Sequence, residues 1–367
     1  MTPARMFARL PAVMAAGLVL AAAPLAAHET ARPQQAAAAR PSLLEQMRAD
    51  ARLAIAAAVA AGNPTEALDS YDRFFASVKQ HDPSLLAAVA KSVLTQVAAD
   101  PASLSRIPAL ERLARAGDAK PRQALEAAAG GRDTLMPAGV EADCALARLG
   151  DSRAIDRLIQ RLTDETSRDR AGVIGSLVDA KARRAAYAMV PLLDDQDPFA
   201  RMTAAQGLAA LGSREQVPAL RAALERETHP GMRQSFAMAL YALGSDAGNT
   251  VIAQAEASRI PDVRLVALEA YYAAKTPRWT ALARQLLKSS SEGPRLRAAV
   301  MLGSADADAR RVLMQAATST NLATREVGAR LLEASGSRDT TLLLQLLRDS
   351  SAVTRTYAAG ALLAGNP

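Results

Sequence analysis

An arginine recurs about every 31 residues through most of this chain, and no other feature restricts its fold as tightly. With Arg201 as anchor, equivalent positions fall at Arg106, Gly139, Arg170, Arg233, Arg264, Arg295, Arg325 and Arg355. The successive spacings are 33, 31, 31, 31 or 32, and finally 30 residues. Seven residues after the anchor stand Leu113, Leu146, Leu177, Leu208, Leu240, Leu302, Leu332 and Leu362, with Tyr271 the exception. Three after it the residue is small or short, as at Ala142, Val173, Ala204 and Ala358; Phe236 departs. Six before it come Asp100, Asp133, Asp164, Asp195, Glu227 and Asp349, with serine at 258, 289 and 319. Eleven after it come Gly117, Gly150, Gly212, Gly244 and Gly336, whereas Lys275 and Asp306 stand in that column elsewhere. A period of this size means units that bury their apolar faces only against their neighbours.

The stretch from Val190 to Gly212 gives the unit in full. A helix ends, an acidic turn closes at Pro198, and a second helix runs from Arg201 to a glycine. Proline is tolerated only in a helix's first turn, and glycine accepts the left-handed conformation that ends one. A small residue and a leucine at the third and seventh positions share one helix face, a groove beside a knob. First helices of the pairs are expected at 121–129, 154–162, 185–193, 217–224, 250–257, 279–287, 310–317 and 340–347. Alternating β-branched stretches are absent, so no sheet is expected. The fold class is all-α, an α-solenoid of about nine helical hairpins over 100–367. At about 10 Å per layer it would form a curved rod on the order of 80–90 Å long. The arginine column is expected to form a structural ladder, pairing Arg201 with Asp195 or Asp197 and Arg264 with Asp262.

The N-terminus does not fit the columns. Arg5 and Arg9 precede an apolar run over 10–25, and Ala26-Ala27 offers small residues for cleavage, so 1–27 reads as a signal peptide cut near Ala27. Its removal deletes two arginines and takes the net charge from +7 to +5. Residues 28–41, rich in Ala, Gln, Arg and Pro, read as a flexible tether. Ser42 with Glu45, Asn63-Pro64 and Asp82-Pro83 open three helices over 42–99, a helical cap for the array's first face. The expected location is the periplasm or outside the cell, without stable membrane insertion. Cys144, the single cysteine, reads as a buried thiol.

These columns resemble the HEAT-like repeats named after the phycobilisome lyase family, whose unit also has an acidic, Pro-containing turn, an arginine, an Ala-rich helix with leucine, and a glycine. The resemblance spans about 85–367 and is strongest at 185–245; it implies the architecture and says little of activity. Bilin attachment, which the family's name suggests, finds no residue here that points to a chromophore. One HEAT-like enzyme family binds iron through His-Glu pairs, but His28, His81 and His229 are too dispersed for such a site. No nucleophile elbow or glycine-rich phosphate loop is present. Cofactors and metals are expected to be none. A pI near 9.8 suggests nucleic acid, yet charges are interspersed and aromatics are 3% of the chain, too few to stack bases, so none is expected.

Two places stand out as surfaces for a protein partner. His229, Phe236, Tyr241, Tyr271, Tyr272 and Trp279 concentrate unusual side chains in adjacent repeats, beside Arg233. Leu342, Leu343, Leu344, Leu346 and Leu347 cover a wide arc of the last first helix, beyond which a solenoid would have no neighbour. The partner-binding residues expected are Arg233, Tyr241, Tyr272, Trp279, Leu343 and Leu344, the leucines serving self-association. The functional expectation is an exported protein-binding scaffold without catalysis of its own. The alternatives are a HEAT-repeat lyase or hydroxylase-type enzyme, or an envelope spacer.

Overall fold

The computed structural model describes residues 42–129, 137–164 and 169–365; the expected signal peptide and tether lie outside the described residues. Among the described residues there are twenty α-helices and no strand. None of the helices is long and apolar enough to cross a membrane. The chain opens with α1 (Leu43–Ala60), α2 (Pro64–Val78) and α3 (Pro83–Ala99). The Asn63 side chain caps α2 at the Glu66 N–H, 3.1 Å away, and Asp82 caps α3 at Ser84 and Leu85.

Helices carrying the repeat anchor are α4 (Arg106–Arg115), α6 (Pro137–Arg148), α8 (Arg170–Asp179), α10 (Pro198–Ala210), α12 (Pro230–Ala242), α14 (Pro261–Ala273), α16 (Glu292–Leu302), α18 (Leu322–Ala334) and α20 (Ala352–Ala364). Each packs on the next, and their partners form the other layer. These are α5 (Ala119–Ala128), α7 (Ser152–Leu162), α9 (Ala186–Met189), α11 (Val217–Arg226), α13 (Asn249–Ala257), α15 (Arg278–Leu286), α17 (Ala307–Ala317) and α19 (Thr340–Leu346). The Leu column is buried throughout, Leu302 alone only partly, which removes about 1.5–3 kcal/mol worth of apolar surface from water per side chain. The helix expected over 185–193 is broken. Pro191 has no N–H to continue the ladder, and 3-10 turns at Arg183–Ala185 and Pro191–Asp194 flank the short α9.

The arginine column builds a ladder in which backbone carbonyls are met within the turn and the side-chain ion pairs run between layers. Nη1 of Arg201 donates to the carbonyl of Asp195 at 2.9 Å, and Arg233, Arg325 and Arg355 do the same to the residue six before them. At Arg170, Arg201 and Arg325 other nitrogens reach the acidic column of the next repeat. Arg170 meets Asp195 at 2.7 Å, Arg201 meets Glu227 at 3.1 Å, and Arg325 meets Asp349 at 2.7 Å. The expected side-chain pairing of Arg201 with Asp197 does not form, because that carboxylate caps the Phe199 N–H. Arg264 turns to Gln285 rather than Asp262.

The open rod is corrected. Within residues 43–365 the last helix, α20, packs on α18 behind it and on α3 at the other end of the chain, so the array closes on itself. Leu342, Leu343, Leu344, Leu346 and Leu347 join one core with Leu68, Tyr71, Phe74, Leu85 and Val89. Arg348 reaches Asp69 and Asp72 of α2 at 2.9 and 2.8 Å across this seam. The expectation that Leu343 and Leu344 dock a second copy is therefore corrected: they are 1% and 8% exposed, covered by their own chain.

Candidate functional site where the two ends meet

Closure brings together residues far apart in sequence. Arg112 on α4 makes a two-pronged ion pair with Glu333 on α18, with Nε to Oε1 at 2.9 Å, and its Nη1 donates to the Pro108 carbonyl. The pair lies directly over Gly360 of α20: a Cβ there would fall 2.0 Å from the Glu333 carboxylate and 2.5 Å from Arg112 Nε. Only glycine leaves room for this clasp. The guanidinium of Arg112 also stacks 4.5 Å from the Tyr357 ring centre, and Arg330 lies 5.2 Å from the same ring.

Beside the clasp, Glu111 is held from two sides. Arg115 meets it at 2.6 Å, one turn along α4, and Arg148 of α6 makes a forked contact at 2.7 Å. Arg148 Nη1 goes on to the Ser176 hydroxyl of α8 at 3.0 Å. The resulting cavity of about 540 Å³ is walled by Arg112, Arg115, Arg148, Asp179, Arg330 and Tyr357, among others. Four arginines face Glu111, Glu333 and Asp179, so the balance is positive. Asp179 faces the cavity, and among the described residues no hydrogen bond holds its charge. Burial pushes its carboxyl above the ordinary range and the Glu111 charge adds to this, while Arg148 and Arg115 oppose it. Among the described residues Arg330 has no ion pair, only its contact with the Tyr357 ring.

A second cavity, of about 410 Å³, shares Pro108 and Arg148 with the first and is lined by Leu104, Ile107, Val140 and Val173 together with the carboxylates of Glu141 and Asp169. Cys144 opens onto it. Burial pushes its thiol up despite the hydrogen bond from Ser176 and the nearby Arg148, which disfavours the thiolate. Together the two spaces can hold an anion on guanidinium groups, place an apolar body beside it, and move a proton through Asp179.

None of the six residues singled out from sequence lines either cavity. Nη1 of Arg233 is spent on the carbonyls of Leu224 and Glu227 at 2.9 and 2.8 Å. Tyr241 is partly buried against Tyr271, ring centres 5.6 Å apart. Tyr272 is 46% exposed and meets Trp279 edge to face at 5.2 Å. Leu343 and Leu344 belong to the seam core. Apart from Glu333 and Tyr357, the residues that were missed stand five, six and nine positions after the anchor, on the face turned away from the Leu column. There Glu111, Arg112, Arg115, Arg148, Ser176, Asp179 and Arg330 break a pattern that reads Gln206, Gly207, Ala210 or Met238, Ala239, Ala242 in the middle of the array. That contrast was the available signal.

The fold and these columns define an α-solenoid of HEAT-like repeats. HEAT repeats are matched over 155–241 and 186–271, and a PBS lyase HEAT-like repeat over 144–164. The phycocyanobilin lyase subunit alpha of Picosynechococcus sp. (strain ATCC 27264 / PCC 7002 / PR-6) is 30% identical, covering 34% of this chain; the chain spans 53% of that relative's length. Among solved structures, the complex of CpcE and CpcF of phycocyanin lyase from Nostoc sp. PCC7120 aligns with 64% of this chain and 93% of that one, at 23% identity and a TM-score of 0.41. Human deoxyhypusine hydroxylase in complex with glycerol aligns with 66% of this chain and 96% of that one, at 21% identity and a TM-score of 0.37.

The lyase subunit overturns two readings made from sequence, that the protein is a binding scaffold and that it is not an enzyme. The physical reason lies in where the polar groups converge. Nucleophile elbows and clustered histidines lie close together in a chain, whereas a solenoid assembles polar groups from several repeats on one face.

Proposed function

We propose that this protein is a lyase-type enzyme whose site is the arginine-walled cavity at the junction of the two ends. One observation carries the reading: a chain 30% identical to a phycocyanobilin lyase subunit gathers four arginines, a tyrosine and a carboxyl of raised pKa in one cavity. In it, Arg115 and Arg330 hold the substrate, and Asp179 gives and takes the proton that forming or breaking a bond requires. A carboxyl lifted from its ordinary range suits both halves of that exchange. Because the relative is one subunit of a lyase, we propose that this chain works with a protein partner, and that residues 1–27 direct it to the periplasm or beyond.

Phycocyanobilin, named by the relative, is the first substrate to try. Absorbance spectra would be recorded with the purified chain, alone and with protein from its own envelope fraction. The spectrum should change with the wild-type chain, and the change should be slowed by Asp179→Asn with a shifted pH profile. A spectrum untouched by the wild-type chain under both conditions overturns the reading.

A further inference from the structure

The acidic column does two jobs, and over three consecutive layers one of them is left undone. Where the acid is present, one carboxylate oxygen holds its own turn and the other holds the arginine one layer back. Oδ1 of Asp195 accepts from the Asp197 N–H at 2.8 Å, and Oδ2 meets Arg170 at 2.7 Å. Asp349 divides its oxygens in the same way, between the Ser351 N–H at 2.8 Å and Arg325 at 2.7 Å. Glu227 does so between His229 and Arg201. At 258, 289 and 319 the column holds serine instead. Each hydroxyl keeps the first job, accepting from the N–H of Ile260 at 3.1 Å, Ser291 at 3.1 Å and Asn321 at 3.2 Å. A hydroxyl has neither the charge nor the second oxygen that the other job requires.

The arginines one layer back from these serines are Arg233, Arg264 and Arg295, and among the described residues none of them has an ion pair. Nη1 of Arg233 and of Arg295 still bonds turn carbonyls, at 2.8 and 3.0 Å. Their Nε and Nη2, the atoms that meet Glu227 at Arg201, have no acceptor among the described residues. Arg264 finds the uncharged Gln285 side chain. All three residues are half-buried, so the guanidinium groups are held in place yet reachable from solvent. The same turns and helix starts add the exposed Arg259 and Lys288 against the exposed acids Asp262 and Glu292, so the balance is positive. Layers stand about 10 Å apart, which is the rise of three residues of extended chain at about 3.3 Å each. We propose that this run of the array binds an extended acidic segment of a partner protein. Its carboxylates, three residues apart, meet Arg233, Arg264 and Arg295 as the column's own acids meet Arg170, Arg201 and Arg325. One charge-assisted contact per layer makes spacing matter as much as charge. None of these residues lines the junction cavities, and the inference does not rest on the lyase reading.

Two fluorescent peptides of serine and threonine test this, each carrying three glutamates, with binding to the intact chain read by anisotropy at low salt. In one the glutamates stand three residues apart; in the other they are adjacent. The spaced peptide should bind about tenfold more tightly than the adjacent one, and Arg295→Gln should weaken it by about tenfold. Replacing Ser258, Ser289 and Ser319 together by aspartate supplies the carboxylates from within. That chain copies the arrangement at Asp195 and Asp349, so it keeps its fold, as its melting curve would verify. It should bind the spaced peptide at least about tenfold more weakly. Aspartates at the exposed Ala253, Ala281 and Gln315 add the same charge on the other helical layer and should change binding by less than about twofold. Equal affinity for the two peptides, or a spaced peptide held as tightly by the chain with aspartate at 258, 289 and 319, overturns the proposal. So does inorganic polyphosphate of equal charge binding in preference to the spaced peptide, because the face would then read charge density rather than spacing.

Discussion

Lys275 has a backbone φ of 55°, in the left-handed region that side chains with a Cβ avoid. It stands in the column that Gly117, Gly150, Gly212, Gly244 and Gly336 fill with φ between 65° and 93°. Lys181, in the same column, has φ 54°. The fold thus imposes the same helix stop whether or not glycine is supplied. At the third departure, position 306, the chain solves the problem differently. Its helix ends two residues early, Gly303 takes φ 79° three positions before the column, and Asp306 becomes the cap of α17. Replacing Lys275 by glycine relieves the strained conformation at a smaller cost in unfolded-chain entropy. Urea unfolding of Lys275→Gly should show a gain of about 0.5–1 kcal/mol. A loss would mean that the lysine side chain makes a contact outweighing its backbone.

Within a repeat, most of the structure was legible in the sequence, because a helical pair is held by local rules. Asn63, Asp82 and Asp306 were read, or can be read, as caps, and the Leu and small-residue columns name the buried face. What the columns could not give was the partner of each arginine. The acid six residues before an anchor looks like that anchor's own partner, yet the turn offers its carbonyl instead and its carboxylate serves the preceding layer. Arg170, Arg201 and Arg325 are therefore bolts between layers, with side-chain exposures of 21% for Arg201 and 9% for its partner Glu227. Arg201→Ala removes a carbonyl bond and leaves Glu227 with only its backbone donors from Thr228 and His229. It should cost about 1–3 kcal/mol in thermal or denaturant unfolding at neutral pH. Glu227 has its carboxyl lowered, chiefly by the His229 N–H and further by Arg201, against the opposing effect of burial. A depressed carboxyl contributes stability that is present above its ordinary value and is lost as pH falls through its folded value. The penalty of Arg201→Ala should therefore shrink in acid; a penalty equal at pH 7 and pH 3 would show that the carbonyl bond, not the ion pair, carries it.

At the scale of the whole array, closure was not legible, and the candidate site went with it. The curvature of a solenoid accumulates from small rotations between layers, which no column records. Only their sum over the array decides whether the last repeat meets the first. A strip of five leucines on the final first helix signalled that something must cover it; the covering element, the α1–α3 region, was read as a cap for the opposite face. The same closure converts scattered charges such as Arg112 and Glu333, 221 residues apart, into one clasp. This makes the array's ends interdependent, which an open solenoid forbids. Removing residues 337–367, and with them α19 and α20, tests the point by hydrogen exchange. In an open array only the neighbouring α18 would lose its cover. In the closed one, α3 is stripped as well, since α20 packs on it and shares a core with Leu85, Val89 and Val93. Amides of residues 83–99 should then exchange faster in the truncated chain, by on the order of tenfold or more, while α10 and α12 in the middle keep their protection. If loss of protection stops at α18, the two ends do not meet in solution, and the cavity they enclose cannot be the site.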